Sequence, residues 1–280
     1  MNSTFEQNRR AWDERARRGE YHTEAATRKE LADPLAALDE CGWLGPSVRG
    51  QRVLCLAAGG GKHSVLFALA GATVTVVDLS PAMLEQDRRM AAEQNVSVRI
   101  VETTMTDLSM LADASFELVI QPVSTCYVQD VGVVYREVAR VLAPGGLYIS
   151  QHKQPASLQA EVQVRGAGYL LTEPYYRSGA LPTILPGCLH REAGTIEFLH
   201  RWTELLGGMC RAGFVIEDLV EPRHGRMDAE PGSFPHRSSF LPPFVTVKAR
   251  RNGAGPTAHL EAAGAESIAS ATPRLWVPER

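Results

Sequence analysis

Glycines 59, 60 and 61 follow the run Val53-Leu54-Cys55-Leu56-Ala57-Ala58 and precede Lys62-His63-Ser64. An apolar strand that stops in glycines and passes into a helical pattern lets a ligand approach the backbone closely. The spacing decides which ligand. A Walker phosphate loop needs GxxxxGK[ST], and GGGKHS reaches its lysine too soon. A dinucleotide turn needs GxGxxG; from Gly59 the series runs Gly59-x-Gly61-x-x-Ser64, so the third glycine is missing. Asp78 stands directly after the β-branched run Thr73 to Val77. A carboxylate there accepts hydrogen bonds from both ribose hydroxyls of an adenosine ligand, or it caps the next helix, a task for which Ser80 is better placed. This suits a nicotinamide dinucleotide and S-adenosylmethionine alike.

These groups need a scaffold, and the chain alternates strand and helix patterns to supply one. Strand patterns cover Arg52 to Ala57, Thr73 to Val77, Ser97 to Val101, Phe116 to Gln121 and Leu147 to His152. Helical patterns fall between them, over Lys62 to Ala70, Pro81 to Gln94 and Asp130 to Leu142. Strands apolar on both faces build a parallel sheet covered on both sides. Before the sheet, residues 1–45 hold two helical patterns, the second over Arg28 to Glu40, and are expected to form a helical lid. After His152 a Gly-, Pro- and aromatic-rich stretch, about 155–195, reads as an inserted cap. The pattern returns with a helix over Ile196 to Arg211 and strands over Phe214 to Val220 and Phe244 to Ala249. The core domain is placed at 46–250, and residues 251–280, rich in Gly, Ala and Ser, read as a flexible tail.

Composition excludes several classes. The 280 residues are 44% hydrophobic and 22% charged, which is ordinary for a globular chain with a real core. A formal net charge of −3 creates no general attraction to nucleic acid or anionic lipid. No apolar run reaches the roughly 18 residues of a membrane span. The N-terminus lacks a signal-peptide core. Five cysteines without a CxxC pair argue against a zinc site or a disulfide framework and suit the cytoplasm.

Five segments in order carry a family resemblance: VLCLAAGGG, VVDLSPAML, ASFELVI, YREVARVLAPGGLYIS and GMCRAGFVIEDL. Over about residues 50–250 the chain resembles the class I S-adenosylmethionine-dependent methyltransferases. CLAAGGGKHS together with QPVSTCY is similar to a branch of uncharacterised small methyltransferases. The resemblance implies an α/β fold, Rossmann-like and doubly wound, with a seven-stranded, mostly parallel sheet and one antiparallel strand at its edge. It implies S-adenosylmethionine as donor and S-adenosylhomocysteine as product. Carried over, Ala57, Gly59, Gly60 and Gly61 face the methionine part of the donor, with His63 beside its carboxylate. Asp78 holds the ribose, Leu79 packs on the adenine, and Thr104 and Met105 flank the adenine edge. Gln121 and Pro122 lie at the carboxyl end of the fourth strand, also against the donor. The chain departs from the family pattern at Cys55, where an aspartate is usual, at Ala57, where a glycine is usual, and at Thr104, where an aspartate is usual.

Methyl transfer from a sulfonium is an in-line displacement, so the protein mainly positions the partners and excludes water. A base helps where the nucleophile holds its proton. The candidates for base or substrate contact are His152, just beyond the fifth strand, Tyr127 in the loop after the fourth, and Tyr21 near the N-terminus, with Ser124 and Thr125 beside Tyr127. Cys126 is either a soft-substrate contact or a small buried residue. Gln121-Pro122-Val123-Ser124 lacks the [ND]PP[YFW] signature of nucleobase and glutamine methylation. Only Asp130 offers an acid to a metal near this loop, so no metal is expected. Trp12 in the lid and Tyr169, Tyr175, Tyr176, His200 and Trp202 of the cap and beyond would line a pocket for a small, partly apolar acceptor. The expected protein is a monomer or homodimer that methylates a small molecule. A non-catalytic donor-binding regulator and a nicotinamide-dependent oxidoreductase are the alternatives.

Overall fold

The computed structural model describes residues 3–184, 188 and 190–253. Among them the chain forms a seven-stranded sheet in the order β3-β2-β1-β4-β5-β7-β6. The strands are β1 (Arg52–Leu56), β2 (Thr73–Asp78), β3 (Val98–Glu102), β4 (Phe116–Gln121), β5 (Leu142–Lys153), β6 (Phe214–Val220) and β7 (Phe244–Arg251). β1 to β5 pair in parallel, and β7 runs antiparallel to both β5 and β6. The antiparallel strand therefore lies one place in from the edge, not at the edge. The chain reverses direction between β1, which leads outward to β2 and β3, and β4, which starts the other half. Such a switch point opens a crevice at the carboxyl ends of the strands.

The helices are α1 (Ser3–Arg18), α2 (Arg28–Ala32), α3 (Pro34–Leu38), α4 (His63–Leu69), α5 (Pro81–Glu93), α6 (Val131–Val141), α7 (Pro155–Gln159), α8 (Trp202–Arg211) and α9 (Phe234–Ser238). The two faces of the sheet hold separate cores. Leu54, Leu56 and Val119 point to a layer with Val134, Tyr135 and Val138 of α6 and Met209 of α8. Val53, Cys55, Val74 and Val76 point the other way, against Phe67 of α4 and Leu84 of α5. Cys55, where the family has an aspartate, is fully buried in this second core, and burial pushes its thiol pKa well up.

Two predicted helices differ from the structure. The run from Arg28 to Glu40 is split because Pro34 lacks an N–H and restarts the helix, with Asp33 accepting from the Ala36 N–H. The run from Ile196 is extended up to Arg201, and helix begins only at Trp202. Its backbone is claimed by neighbours: Phe198 N–H donates to the Cys126 carbonyl (2.7 Å), and Leu181 N–H to the Glu197 carbonyl (2.7 Å). The expected tail from residue 251 falls almost wholly outside the described residues, since β7 ends at Arg251. No helix among the described residues is long and apolar enough to cross a membrane.

Candidate active site

A cavity of about 640 Å³ occupies the crevice at the carboxyl ends of β1, β2 and β4. Ala57, Gly59, Asp78, Leu79, Thr104, Met105 and Pro122 all line it, and so does His63. α1 closes it from above with Phe5, Asn8 and Trp12, which recur at i, i+3 and i+7 and so share one helical face.

The glycine turn is built differently from the sequence expectation. Gly60 and Gly61 do not line the cavity. They have φ of +116° and +76°, a region that L side chains rarely adopt. A Cβ on Gly61 would lie 2.8 Å from Cγ of Met90 and 3.0 Å from the Gln86 carbonyl oxygen. The third and second glycines thus serve close packing against α5, and only Gly59 borders the ligand space. Ser64, in place of a third dinucleotide glycine, is fully buried and donates its hydroxyl to Oδ1 of Asp87. The other oxygen of Asp87 accepts the Gly60 N–H at 2.9 Å. Asp87 therefore pins the turn to α5, a role invisible in a helix whose periodicity alone was read.

Burial raises the Asp87 pKa to about 6, against the opposing pull of its hydrogen bonds. In the unfolded chain an aspartate titrates near ~3.9. Between these two values the folded state binds more protons than the unfolded one, so Asp87 makes stability fall as pH rises through that window. In Asp87→Asn the amide oxygen still accepts from Gly60 and the amide NH2 donates to Ser64. Denaturant midpoints measured from pH 4 to 7 should therefore lose this downward slope in the variant, and parallel curves for the two proteins would refute the assignment.

Ala57 occupies the family's first glycine position with φ of +48°. It keeps the left-handed turn despite its Cβ, at a cost of roughly 1 kcal/mol. Ala57→Gly removes that strain, offset in part by the greater chain entropy of glycine. A rise in thermal midpoint with no loss of donor affinity is expected; a fall in midpoint would contradict it.

Asp78 sits at the cavity wall at the end of β2. Its Oδ2 accepts the Gly59 N–H and its Oδ1 accepts the Ser80 N–H, both at 2.9 Å. The Leu79 N–H also lies against the carboxylate, which keeps acceptor capacity for a ligand. Burial raises its pKa, and the backbone N–H groups pull it back. Ser80 is the N-cap of α5, its hydroxyl accepting from the Met83 N–H.

The proposed bases separate. His152 is fully buried and does not line the cavity. Its Nδ1 meets the Thr125 hydroxyl and its Nε2 the Ser150 hydroxyl, each at 2.8 Å. Burial lowers its pKa to about 3. The cause is strand parity: Tyr148, Ser150 and His152 alternate onto the α6 side of β5, where the Tyr135 ring stands 6.4 Å from the imidazole. Gln151, one residue earlier, reaches the cavity instead. Gln121 is likewise withdrawn, bonded to Ser124 at 2.9 Å and to the Tyr148 hydroxyl. Tyr127 lines the cavity, but its hydroxyl donates to Oε2 of Glu192 at 2.7 Å, and burial pushes its pKa well up. Tyr21 is 62% exposed and lines the cavity mouth. Thr125 and Cys126 are buried in the turn after β4, where burial also pushes the Cys126 thiol pKa up. Ser124 lines the cavity. Burial lowers the His63 pKa to about 4, so the ring is neutral at pH 7.

The cap aromatics do not reach the cavity. Tyr169 packs with His236 and Phe240, Tyr175 bonds the Trp202 N–H, and His200 bonds the Thr125 and Val128 carbonyls. The cap instead sends in Glu192, which sequence reading missed because it lies in a stretch without periodicity. Asp130 caps α6 through the Gly132 N–H at 2.8 Å. Among the described residues no three His, Cys, Asp or Glu side chains are grouped to hold a metal ion.

The wall carries Glu24, Glu30, Asp78 and Glu192 against Lys62, itself paired to Glu30 at 2.6 Å. An acidic wall with a ribose-type acceptor and apolar Leu79 and Met105 beside it fits a cationic adenosine compound.

The family model described as a methyltransferase domain matches residues 54–150. An uncharacterised methyltransferase of Bacillus subtilis is 30% identical over 239 residues, covering 80% of this chain and 93% of the relative. A solved S-adenosylmethionine-dependent methyltransferase from Mesorhizobium loti superposes with a TM-score of 0.61 at 23% identity, covering 79% of this chain and all of that one. Geranyl diphosphate C-methyltransferase from Streptomyces coelicolor, solved with Mg2+, geranyl diphosphate and S-adenosyl-L-homocysteine, superposes with a TM-score of 0.59 at 17% identity, covering 89% and 98%.

Proposed function

Because the chain belongs to the class I S-adenosylmethionine-dependent methyltransferases, we propose that it methylates a small, uncharged acceptor inside the cavity beneath α1. The observation that carries this reading is the cavity itself. It joins Gly59, Asp78, Leu79, Thr104 and Met105 on one side to Trp12, Tyr127, Gln151 and Glu192 on the other, within about 640 Å³. That volume suits a donor and a small acceptor, not a polymer. When bound, the donor supplies an activated methyl on a cationic sulfur. The chain's own groups then do the rest. Asp78 holds the ribose hydroxyls. Leu79 and Met105 pack on the adenine, with Thr104 at its edge. Ala57 and Gly59 border the methionine part, with His63 near its carboxylate. Glu30 and Glu192 are paired to Lys62 and Lys153, so the charge that favours a cationic ligand comes from Asp78 and Glu24. Trp12, 5.8 Å from the Tyr127 ring and edge-on to it, closes the cavity from water. All five cysteines are free thiols, which suits a reducing cytoplasm.

Calorimetric titration with S-adenosylhomocysteine, followed by incubation with S-adenosylmethionine and a metabolite panel read by mass spectrometry for a gain of one CH2, tests the proposal. Binding with turnover of a small acceptor is expected. Absence of donor binding would overturn the reading.

A further inference from the structure

The acceptor half of the cavity is built around a buried ionic cluster. Lys153 Nζ lies 2.6 Å from Oε2 of Glu192 and 3.2 Å from Oε1 of Glu197. Arg191 Nε pairs with the other oxygen of Glu197 at 2.9 Å. Lys153, Glu192 and Glu197 are 5%, 8% and 0% exposed. Two cations and two anions cancel, so both cluster cations are committed. Among the described residues a carboxylate or phosphate acceptor would meet no uncommitted lysine or arginine at the wall and would face Glu192 across it. The hydrogen bonds from Tyr127 and Lys153 land on Oε2 of Glu192, the Glu197 carboxyl lies against the same group, and the residue borders the cavity.

His22 stands on the same cavity wall with a left-handed backbone, φ +72°, a conformation that histidine adopts more often than most residues with a Cβ and that still carries some strain. The loop is made to hold it there. Arg15 Nη2 donates to the Tyr21 carbonyl at 3.0 Å, and the Thr23 N–H and hydroxyl both donate to the Glu20 carbonyl, at 3.1 and 2.6 Å. The Tyr21 ring lies 4.3 Å from the imidazole. His22 is exposed at the cavity mouth; partial desolvation lowers its pKa, with the Glu192 charge pulling it up and the Lys153 charge pulling it down, so the ring is a neutral proton acceptor at pH 7. Strain held in place at a cavity wall by several hydrogen bonds is a sign of use.

We propose, resting on the methyl-transfer reading above, that Glu192 and His22 form the acceptor-side pair and that the acceptor is an uncharged hydroxyl compound with an apolar body. The Glu192 carboxylate accepts the hydroxyl of the incoming molecule in the resting complex. The hydroxyl then turns to His22, which takes the proton as the oxygen is methylated. The acceptor's O–H bond breaks with its proton going to the imidazole, an oxygen lone pair forms the O–CH3 bond, and the S–CH3 electrons remain on sulfur as a thioether. The resulting imidazolium passes its proton to solvent, to which His22 is exposed. An alkylamine is the poorer substrate, because it arrives protonated and Glu192 would hold it in that unreactive form.

Two probes that differ in charge and share a ring system test this: 2-naphthol and 2-naphthoate, titrated by calorimetry into protein saturated with S-adenosylhomocysteine. Naphthol is expected to bind at least tenfold more tightly than naphthoate. Glu192→Gln should weaken naphthol by about tenfold or more, as expected for a hydrogen bond to a charged group, while S-adenosylhomocysteine affinity stays within twofold. His22→Gly relieves the backbone strain, so its thermal midpoint should not fall although its naphthol methylation is lost; it carries the test if Glu192→Gln does not fold. Equal binding of the two probes, no binding of naphthol, or a His22→Gly protein that methylates naphthol as fast as the parent would overturn the proposal. Failure of the parent to bind S-adenosylhomocysteine would overturn the methyltransferase reading instead.

Discussion

Asp78→Ala should lower the affinity for adenosine ligands by about a hundredfold or more. The carboxylate stands at the end of β2 and accepts the backbone N–H groups of Gly59 and Ser80. Its remaining acceptor capacity faces a cavity of about 640 Å³. Two ribose hydroxyls donated to a charged acceptor are worth about 1.5–3 kcal/mol apiece. The substitution has a second effect, because the Gly59 and Ser80 N–H groups lose their acceptor and the turn loosens. The two effects separate by ligand. Adenosine and 2′,3′-dideoxyadenosine differ only in the hydroxyls, so a double cycle of protein and ligand isolates the direct contact. If Asp78 holds the ribose, the parent prefers adenosine by tenfold or more and the variant does not. If the variant loses both ligands in equal proportion, the carboxylate serves the turn alone.

The sheet was legible because its strands are apolar on both faces and are separated by glycine, proline and capping residues. Thr73 to Val77 and Phe116 to Gln121 need no tertiary information to be read as buried strands. The strand-end wall of the cavity was legible for a related reason. It is built from segment ends, and the ends of strands are marked by the residues that stop them, Gly59 and Asp78 among them. What failed was direction. His152 lies at the correct end of β5, but one step of the two-residue period turns it into the α6 layer and turns Gln151 into the cavity. No composition signal fixes that parity, since both neighbours are polar. Glu192 was invisible for another reason. It comes from the extended cap, where no period orders the side chains, and its meaning lies in Lys153, 39 residues away. The glycines misled in a third way. Gly60 and Gly61 are required by Met83, Met90 and the backbone of α5, neighbours that only the packed chain supplies.

Asn8→Ala should detach α1 and open the cavity. The sequence expectation made residues 1–45 a lid, marginal by itself because its apolar face is sparse. The structure replaces that apolar face with two buried polar anchors. Asn8, 2% exposed, accepts the Ile196 N–H on Oδ1 at 2.6 Å and donates Nδ2 to the Ile196 carbonyl at 3.1 Å and the Tyr127 carbonyl at 3.3 Å. Asp13, 6% exposed, accepts the Ser80 hydroxyl at 2.6 Å and the Ala82 N–H at 3.1 Å, so it sits at the first turn of α5. There its charge meets the positive end of the helix. One helix thus ties Ile196, just after the cap, to the first turn of α5, with Trp12 facing the cavity between the two ties. Removing Asn8 leaves the Ile196 N–H buried without its acceptor and the two carbonyls without their donor. Each orphaned group costs about 1–3 kcal/mol. A single helix of 16 residues has little stability to spare once released from its packing. The sheet does not contain α1, so the loss should be local: far-ultraviolet dichroism should change only by the weight of that helix. Limited proteolysis reads it directly, because Arg15, Arg17 and Arg18 crowd its last turn. Cleavage there should be slow in the parent with or without ligand, in contrast to a mobile lid, and at least tenfold faster in Asn8→Ala. S-adenosylhomocysteine should slow cleavage of the variant, because a ligand under the helix restores part of its packing. If the parent is cut quickly until ligand is added, α1 is a moving lid and the two anchors do not hold it.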